Sequence, residues 1–184
     1  MATTKEKIVT LGDKLIRDKG YNAFSYYDIA PALKVNNAAI HYHFPAKTDL
    51  GEAVVDCHSE KFTAFTQSIT AQSEIEQLKS FLELFHRISD DNRVCLVGAL
   101  APELPSLNKS MRQKLTTFVK TTLDWLTAIL ERGRKKGDFN FSGTARTRAL
   151  MVITNIFAWV QISRITGEKD FQAIKTAILN DISR

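Results

Sequence analysis

Residues 36–50, NNAAIHYHFPAKTDL, hold two histidines, a phenol, two amides and a lysine within a short span. His41 and His43 first suggest a metal site. On a helix, however, residues two apart point about 200° away from each other, and no HExxH spacing occurs. Nucleophilic catalysis fares no better. Neither Cys57 nor Cys95 lies in the stretch, and the chain has no serine elbow. The same spacing does offer a sided helix. On a helical wheel Ile40 and Phe44 share one face, which Val35 can join, while Ala38, His41 and Tyr42 fall nearly opposite. Such a helix pins itself with apolar residues and turns a small residue, an imidazole and a phenol outward. Plain surface residues would show the same pattern, so the neighbouring elements have to decide.

Those elements read helical throughout. Four prolines and eight glycines punctuate the chain, and no alternating strand pattern appears. Thr3 and Glu6 form a capping box that opens a first helix, which carries Ile8, Leu11, Leu15 and Ile16 inward and stops at Gly20. Ser25 and Asp28 cap a second, short helix, and a third runs from about Asn37 to Phe44, where Pro45 breaks it. A long helix follows from about residues 46–48 to about 71. Further helices are expected at about 74–89, 93–101, 108–136, 144–166 and 168–183. The fold class is therefore all-α, with about nine helices. The expected division is a head over residues 1–47, a connecting helix over 48–71, and a helical body over 72–184.

Two short helices joined by a tight turn, Ser25–Leu33 and then Asn37–Phe44, make a helix-turn-helix, whose second helix enters the major groove of double-stranded DNA. Ala38 permits close approach, Asn37, His41 and Tyr42 can meet base edges or phosphates, and Lys47 is placed for a phosphate. Bulk properties are those of a soluble globular chain and permit a polyanionic partner without demanding one. The net charge is +5, with 44% hydrophobic and 24% charged residues, and the two cysteines fit a reducing cytoplasm better than a disulfide framework. No apolar run approaches the roughly 20 residues of a membrane span, and the N-terminus lacks the apolar block of a signal peptide. In residues 1–50 seven basic side chains oppose five acidic ones, a net of +2, so one head should bind DNA weakly.

The stretch IAPALKVNNAAIHYHFPAKTDL, Ile29 to Leu50, closely resembles the TetR/AcrR family of bacterial repressors. That family carries IA, a small-residue turn, a run like LYYHF, and a lysine opening the next helix. VCLVGALAPELPSL, Val94 to Leu107, resembles a body motif of one branch, some of whose members respond to electrophiles. Three positions depart from the pattern. His41 stands for the commoner first tyrosine, Lys34 for a turn glycine, and Pro31 falls inside the expected second helix, where it fits as a first-turn residue if that helix starts near Asp28.

The resemblance implies a ligand-responsive regulator, most often a repressor, that binds a pseudo-palindromic operator as a homodimer. It implies phosphate contacts from Ser25, Tyr27 and Lys47, base contacts from Asn37, Ala38 and Ala39, and base or phosphate contacts from His41, Tyr42 and His43. In the body, helices 144–166 and 168–183 become candidates for the dimer bundle. A small, largely apolar or electrophilic effector would meet some of Phe62, Phe65, Phe85, Phe118, Trp125, Asn155 and Trp159, with Cys95 as a possible electrophile site and otherwise a small core residue. Asn155 stands out as an amide among apolar neighbours. Arg132, Arg134, Lys135 and Lys136 read as a nucleic-acid patch or as partners of a helix C-terminus. No catalytic constellation, cofactor or metal site is expected. The competing classes are a helical-bundle small-molecule-binding protein and an interaction adaptor without specific DNA binding.

Overall fold

A computed structural model of the chain describes residues 2–90, 94–167 and 170–183, with no side-chain description over 87–90. Among the described residues there are nine α-helices and no strand. They are α1 (Thr4–Lys19), α2 (Tyr26–Leu33), α3 (Asn37–His43), α4 (Lys47–Ser68), α5 (Glu74–Asp90), α6 (Leu96–Leu100), α7 (Lys109–Lys136), α8 (Ala145–Thr166) and α9 (Phe171–Ile182), with a 3-10 turn over Ala101–Ser106. The expected helix starts at residues 93 and 168 lie outside the described residues.

Local chemistry sets the first four boundaries. Thr3 and Glu6 close the capping box of α1, with the Thr3 N–H donating to Glu6 Oε2 at 2.7 Å. α1 ends at Gly20, whose φ of 97° is open to glycine. The Ser25 N–H donates to Asp28 Oδ2 at 2.7 Å and opens α2. Asn36 Oδ1 accepts from the Ala39 N–H at 2.8 Å and opens α3. α2 begins at Tyr26, so Pro31 lies mid-helix and not in the first turn. There it withholds the N–H that would bond back to Tyr27. The Ser25–Asp28 box fixes the start earlier than the proline alone suggested.

The chain divides into two compact units. Unit 1 is residues 1–61 with 96–118, and unit 2 is residues 62–95 with 119–184. Segment 96–118, which the sequence division placed in the body, thus joins the head. In unit 1, Ile8, Ile29, Ile40 and Leu50 are fully buried, each worth about 1.5–3 kcal/mol over exposure. α6 packs on α1. Gly51 brings α4 close to α7: a Cβ there would lie 2.9 Å from Met111 Sδ. Lys114 of α7 donates to Asp56 of α4 at 2.6 and 2.8 Å.

Unit 2 is organised around aromatics. Trp125 meets Phe62, Phe65 and Phe81 at 5.6, 6.2 and 5.5 Å between ring centroids. Trp159 packs on Phe171 at 5.0 Å. The basic cluster at the end of α7 serves this unit. Lys136 and Arg132 pair with the buried Glu74, and Arg134 donates to the Gly143 carbonyl and stacks on Phe141.

α8 has the length and apolarity of a membrane span, a property the sequence reading missed. One side packs inward through Ala149, Val152, Ile156 and Val160. That side also holds Arg148, nearly buried and bonded to Asp181. Leu150, Met151, Ile162 and Ile165 stay exposed in the single chain.

In unit 1, Arg17 and His58 both donate to Asp13, at 2.8 and 2.7 Å, tying α1 to α4. Burial pushes the Asp13 carboxyl pKa up, but the His58 hydrogen bond and charge, with Arg17, outweigh it and hold the pKa below the usual aspartate value. The native state therefore binds this proton less readily than the unfolded chain. The resulting stability is present above the ordinary aspartate pKa of about 3.9 and is lost as pH falls through the lower folded value. Thermal melts from about pH 5 down to pH 2 should fall more steeply for the wild type than for Asp13→Asn. Parallel declines would show that this carboxylate does not carry the effect.

Candidate nucleic-acid interface

The turn between α2 and α3 is built by Lys34, the one described non-glycine residue with positive φ (55°, ψ 42°). The Val35 N–H reaches back to the Ala30 carbonyl at 3.0 Å and the Lys34 N–H to the Pro31 carbonyl at 3.2 Å. This closes the helix end in a Schellman arrangement that usually employs glycine. The next constraint is a residue that sequence reading passed over. Tyr26, buried at the start of α2, donates its hydroxyl to the Phe44 carbonyl at the end of α3 at 2.8 Å. Burial, followed by the charge of Asp49, pushes the phenol pKa up to about 12, so it stays a donor at all ordinary pH. Its position beside Tyr27 and the aromatic enrichment of the stretch were visible, but nothing in the spacing pointed it inward.

With α2 and α3 fixed, the outward side chains follow. Ile40 and Phe44 are buried. Tyr27 and Tyr42 are 79% and 83% exposed, an unusual display for phenols that could have packed. Ala38 and His41 are also exposed, while Ala39 and His43 are half-buried. The His41 ring stands edge-on to Tyr26 at 4.8 Å, with Nδ1 3.2 Å from the Pro45 carbonyl. That contact fixes the ring plane and engages one nitrogen. The His43 ring meets Tyr42 edge-on at 5.2 Å. Ser25 is exposed, and its hydroxyl donates to Asp28 at 3.2 Å.

Two of the expected contact residues are placed differently from the sequence picture. Lys47 is not a free cation. Its ammonium donates to the Phe24 carbonyl and lies over the Phe24 and Tyr21 rings at 4.2 and 4.9 Å. Burial lowers its pKa from the usual lysine value, against the charges of Glu103 and Asp28, which act upward. Asn37 is half-buried, with its Oδ1 buried and without a hydrogen-bond partner.

The aromatic candidates for an effector pocket do not form one group. Phe118 lies in unit 1, edge-on to His58 at 6.4 Å. In unit 2, Phe62, Phe65 and Trp125 form one cluster, which continues through Phe81 to Phe85. Trp159 belongs with Phe171, its Nε1 buried and unpartnered. Asn155 is exposed and not a buried amide. Its Nδ2 donates to the Met151 carbonyl at 2.8 Å, because the apolar pattern of α8 runs round to a face the chain itself leaves open. Cys95 is buried, in unit 2. A groove of about 410 Å³ in unit 1 is lined by Asp56, Ser59, Ser110, Gln113, Lys114 and Thr117, none of them a pocket candidate. Among the described residues, no group of three or more His, Cys, Asp and Glu side chains could hold a metal.

Residues 8–54 match the family model described as bacterial regulatory proteins, tetR family. A TetR-family transcriptional regulator from Agrobacterium tumefaciens is 30% identical, with 98% of this chain and 97% of that one covered and a TM-score of 0.91. A TetR transcriptional regulator from Legionella pneumophila is 29% identical over 99% and 98% of the two chains, with a TM-score of 0.89. An HTH-type transcriptional regulator of Lactococcus lactis subsp. lactis is 29% identical over 121 residues, and this match spans 62% of the length of each protein.

Two substitutions test the turn. Tyr26→Phe leaves the buried Phe44 carbonyl without its donor and should lower stability by about 1–2 kcal/mol. Lys34→Gly relieves a left-handed side chain and should raise stability by up to about 1 kcal/mol. Denaturant melts measure both, and a stabilised Tyr26→Phe or a destabilised Lys34→Gly would contradict the geometry.

Proposed function

The chain belongs to the TetR family of bacterial regulatory proteins, and on that premise we propose that it is a cytoplasmic, ligand-responsive repressor that binds a pseudo-palindromic operator as a homodimer. The observation that carries the reading is α3, held by Ile40, Phe44 and the Tyr26 hydroxyl, with Ala38, His41 and Tyr42 left facing outward. In this reading Tyr42, His41, His43 and the Ala38–Ala39 edge meet bases. Asn37 joins them through its amide nitrogen, since its oxygen is withdrawn. Tyr27 and Ser25 meet phosphates. Lys47 is a shared residue: one of its three donors holds the Phe24 carbonyl, and the ammonium still supplies charge to a nearby phosphate.

The exposed stripe on α8 supports the dimer. Met151, Asn155, Ala158, Ile162 and Ile165 recur at intervals of four, three, four and three, the spacing of a helix seam that packs against another helix. All five are exposed in the single chain. A second copy covers them, with Asn155 at mid-seam, and two heads related by a two-fold axis compensate for the small charge of each. The effector is a small, largely apolar molecule, and the Trp125 cluster with Phe62, Phe65 and Phe85 is its best-supported contact surface. α4 is unbroken from Lys47 to Ser68 and supplies residues to both units, which gives an effector a covalent route to the head. About 100-fold tighter effector binding to the DNA-incompetent state supplies roughly 2.7 kcal/mol per site for release. With Cys95 buried, an electrophile would first need access to it.

Mobility shifts against the DNA flanking its gene test the reading directly, and binding no better than to unrelated DNA would remove it. Sedimentation should show a dimer at micromolar concentration, and Ile162→Glu should yield a folded monomer with weak operator binding; a dimeric Ile162→Glu would place the interface elsewhere. Lys47→Ala should weaken binding to every sequence and reduce the salt slope by about one contact. His41→Ala should relax preference at particular bases. An unchanged salt slope for Lys47→Ala would leave that lysine a purely structural role.

A further inference from the structure

The segment VCLVGALAPELPSL stands out in the sequence, and DNA contact does not account for it. In unit 1 its 3-10 turn closes on the loop between α1 and α2. Glu103 Oε2 accepts the backbone N–H of Asn22 at 2.9 Å. The Asn22 side-chain amide donates to the Ser106 hydroxyl at 2.8 Å, and that hydroxyl donates to the Glu103 carbonyl at 2.8 Å. The other carboxylate oxygen comes so close to the loop that a Cβ on Gly20 would lie 2.5 Å from it. A carboxylate, a hydroxyl and a glycine therefore meet at residues 20–22, where the helical hydrogen bonds of α1 stop with the Gly20 N–H on the Ile16 carbonyl.

That loop leads directly into the proposed interface. Three residues beyond Asn22, the Ser25 N–H is held by Asp28 and opens α2. The next residue, Tyr26, holds the end of α3 through the Phe44 carbonyl. Phe24, just before Ser25, has its carbonyl held by Lys47. Two kinds of link, these hydrogen bonds and the short covalent run from Asn22 to Tyr26, connect Glu103 to the end of α3.

We propose that Glu103 is a positioning residue for DNA recognition: with Ser106 it clasps the α1–α2 loop and so fixes where Ser25, Tyr27 and α3 stand. This rests on the DNA-binding reading above. Glu103 touches no DNA in this account, and its charge opposes DNA binding. Two effects of its loss therefore carry opposite signs. Removing an anion near the head raises affinity for any duplex, whereas freeing the loop lowers preference for the right one.

The test uses the full-length protein and a duplex selected by the wild type from random sequences. Binding of Glu103→Ala, which removes both the charge and the acceptor for the Asn22 N–H, is measured to that duplex and to an unrelated one, well below the melting temperature. The ratio of the two affinities should fall about threefold to tenfold, while affinity for unrelated DNA holds or rises. A merely stabilising contact would lower the melting temperature and leave the ratio alone, and that result overturns the proposal. A wild type that selects no duplex removes the DNA-binding reading, and this proposal with it. Should Glu103→Ala fail to fold, amide exchange of the wild type decides. The Asn22 N–H should be protected in the free protein and more so with the selected duplex; exchange that the duplex leaves unchanged overturns the proposal.

Discussion

Helices of seven and eight residues do not hold themselves together in water, and α2 and α3 are that short. Everything else in unit 1 answers this constraint. α1 and the start of α4 supply the buried Ile8, Ile16, Leu50 and Val54. The set still lacks the area of a comfortable core, since domains of about 60 residues are marginal. Residues 96–118 make up the difference with Leu96, Leu100, Leu107 and Met111. Helices this short gain their core from a remote part of the sequence that packs in the same unit.

The same constraint explains how polar side chains are divided between holding and presenting. Tyr26 and Tyr27 are adjacent and chemically identical, yet one is buried on a carbonyl and the other is exposed. A helix turns by about 100° per residue, so neighbours cannot share a face. Lys47 shows the intermediate case. It stands where a phosphate cation is expected, and the loop carbonyl and two rings beneath it draw the ammonium partly inward.

Much of this was legible in the sequence because it is local. The Thr3–Glu6 and Ser25–Asp28 boxes, Gly20, and the opposed faces of α3 are contained within a few residues, and helix ends follow such short-range chemistry. The αL conformation of Lys34 was signalled only by the resemblance, which puts a glycine at that turn position. What the sequence hid is long-range. Glu103 lies 81 positions from Asn22, and His58 lies 45 from Asp13. No periodicity reports such pairs. Asn155 sits among apolar residues in sequence and is exposed in the fold, because an apolar surrounding in sequence does not say whether the covering element belongs to this chain.

Because unit 1 is assembled from residues 1–61 and 96–118, its parts leave the ribosome at different times. At about 5–20 residues per second, the interval between residue 61 and residue 118 is roughly 3–11 s. During that time the nascent chain already carries α2, α3 and their exposed phenols, but not the packing that fixes them. A chain truncated in this interval would display Tyr27 and Tyr42 on a loosely held frame. Completion of unit 1 is thereby tied to synthesis well past residue 61, so an unfinished chain carries its first four helices without the partners that bury them.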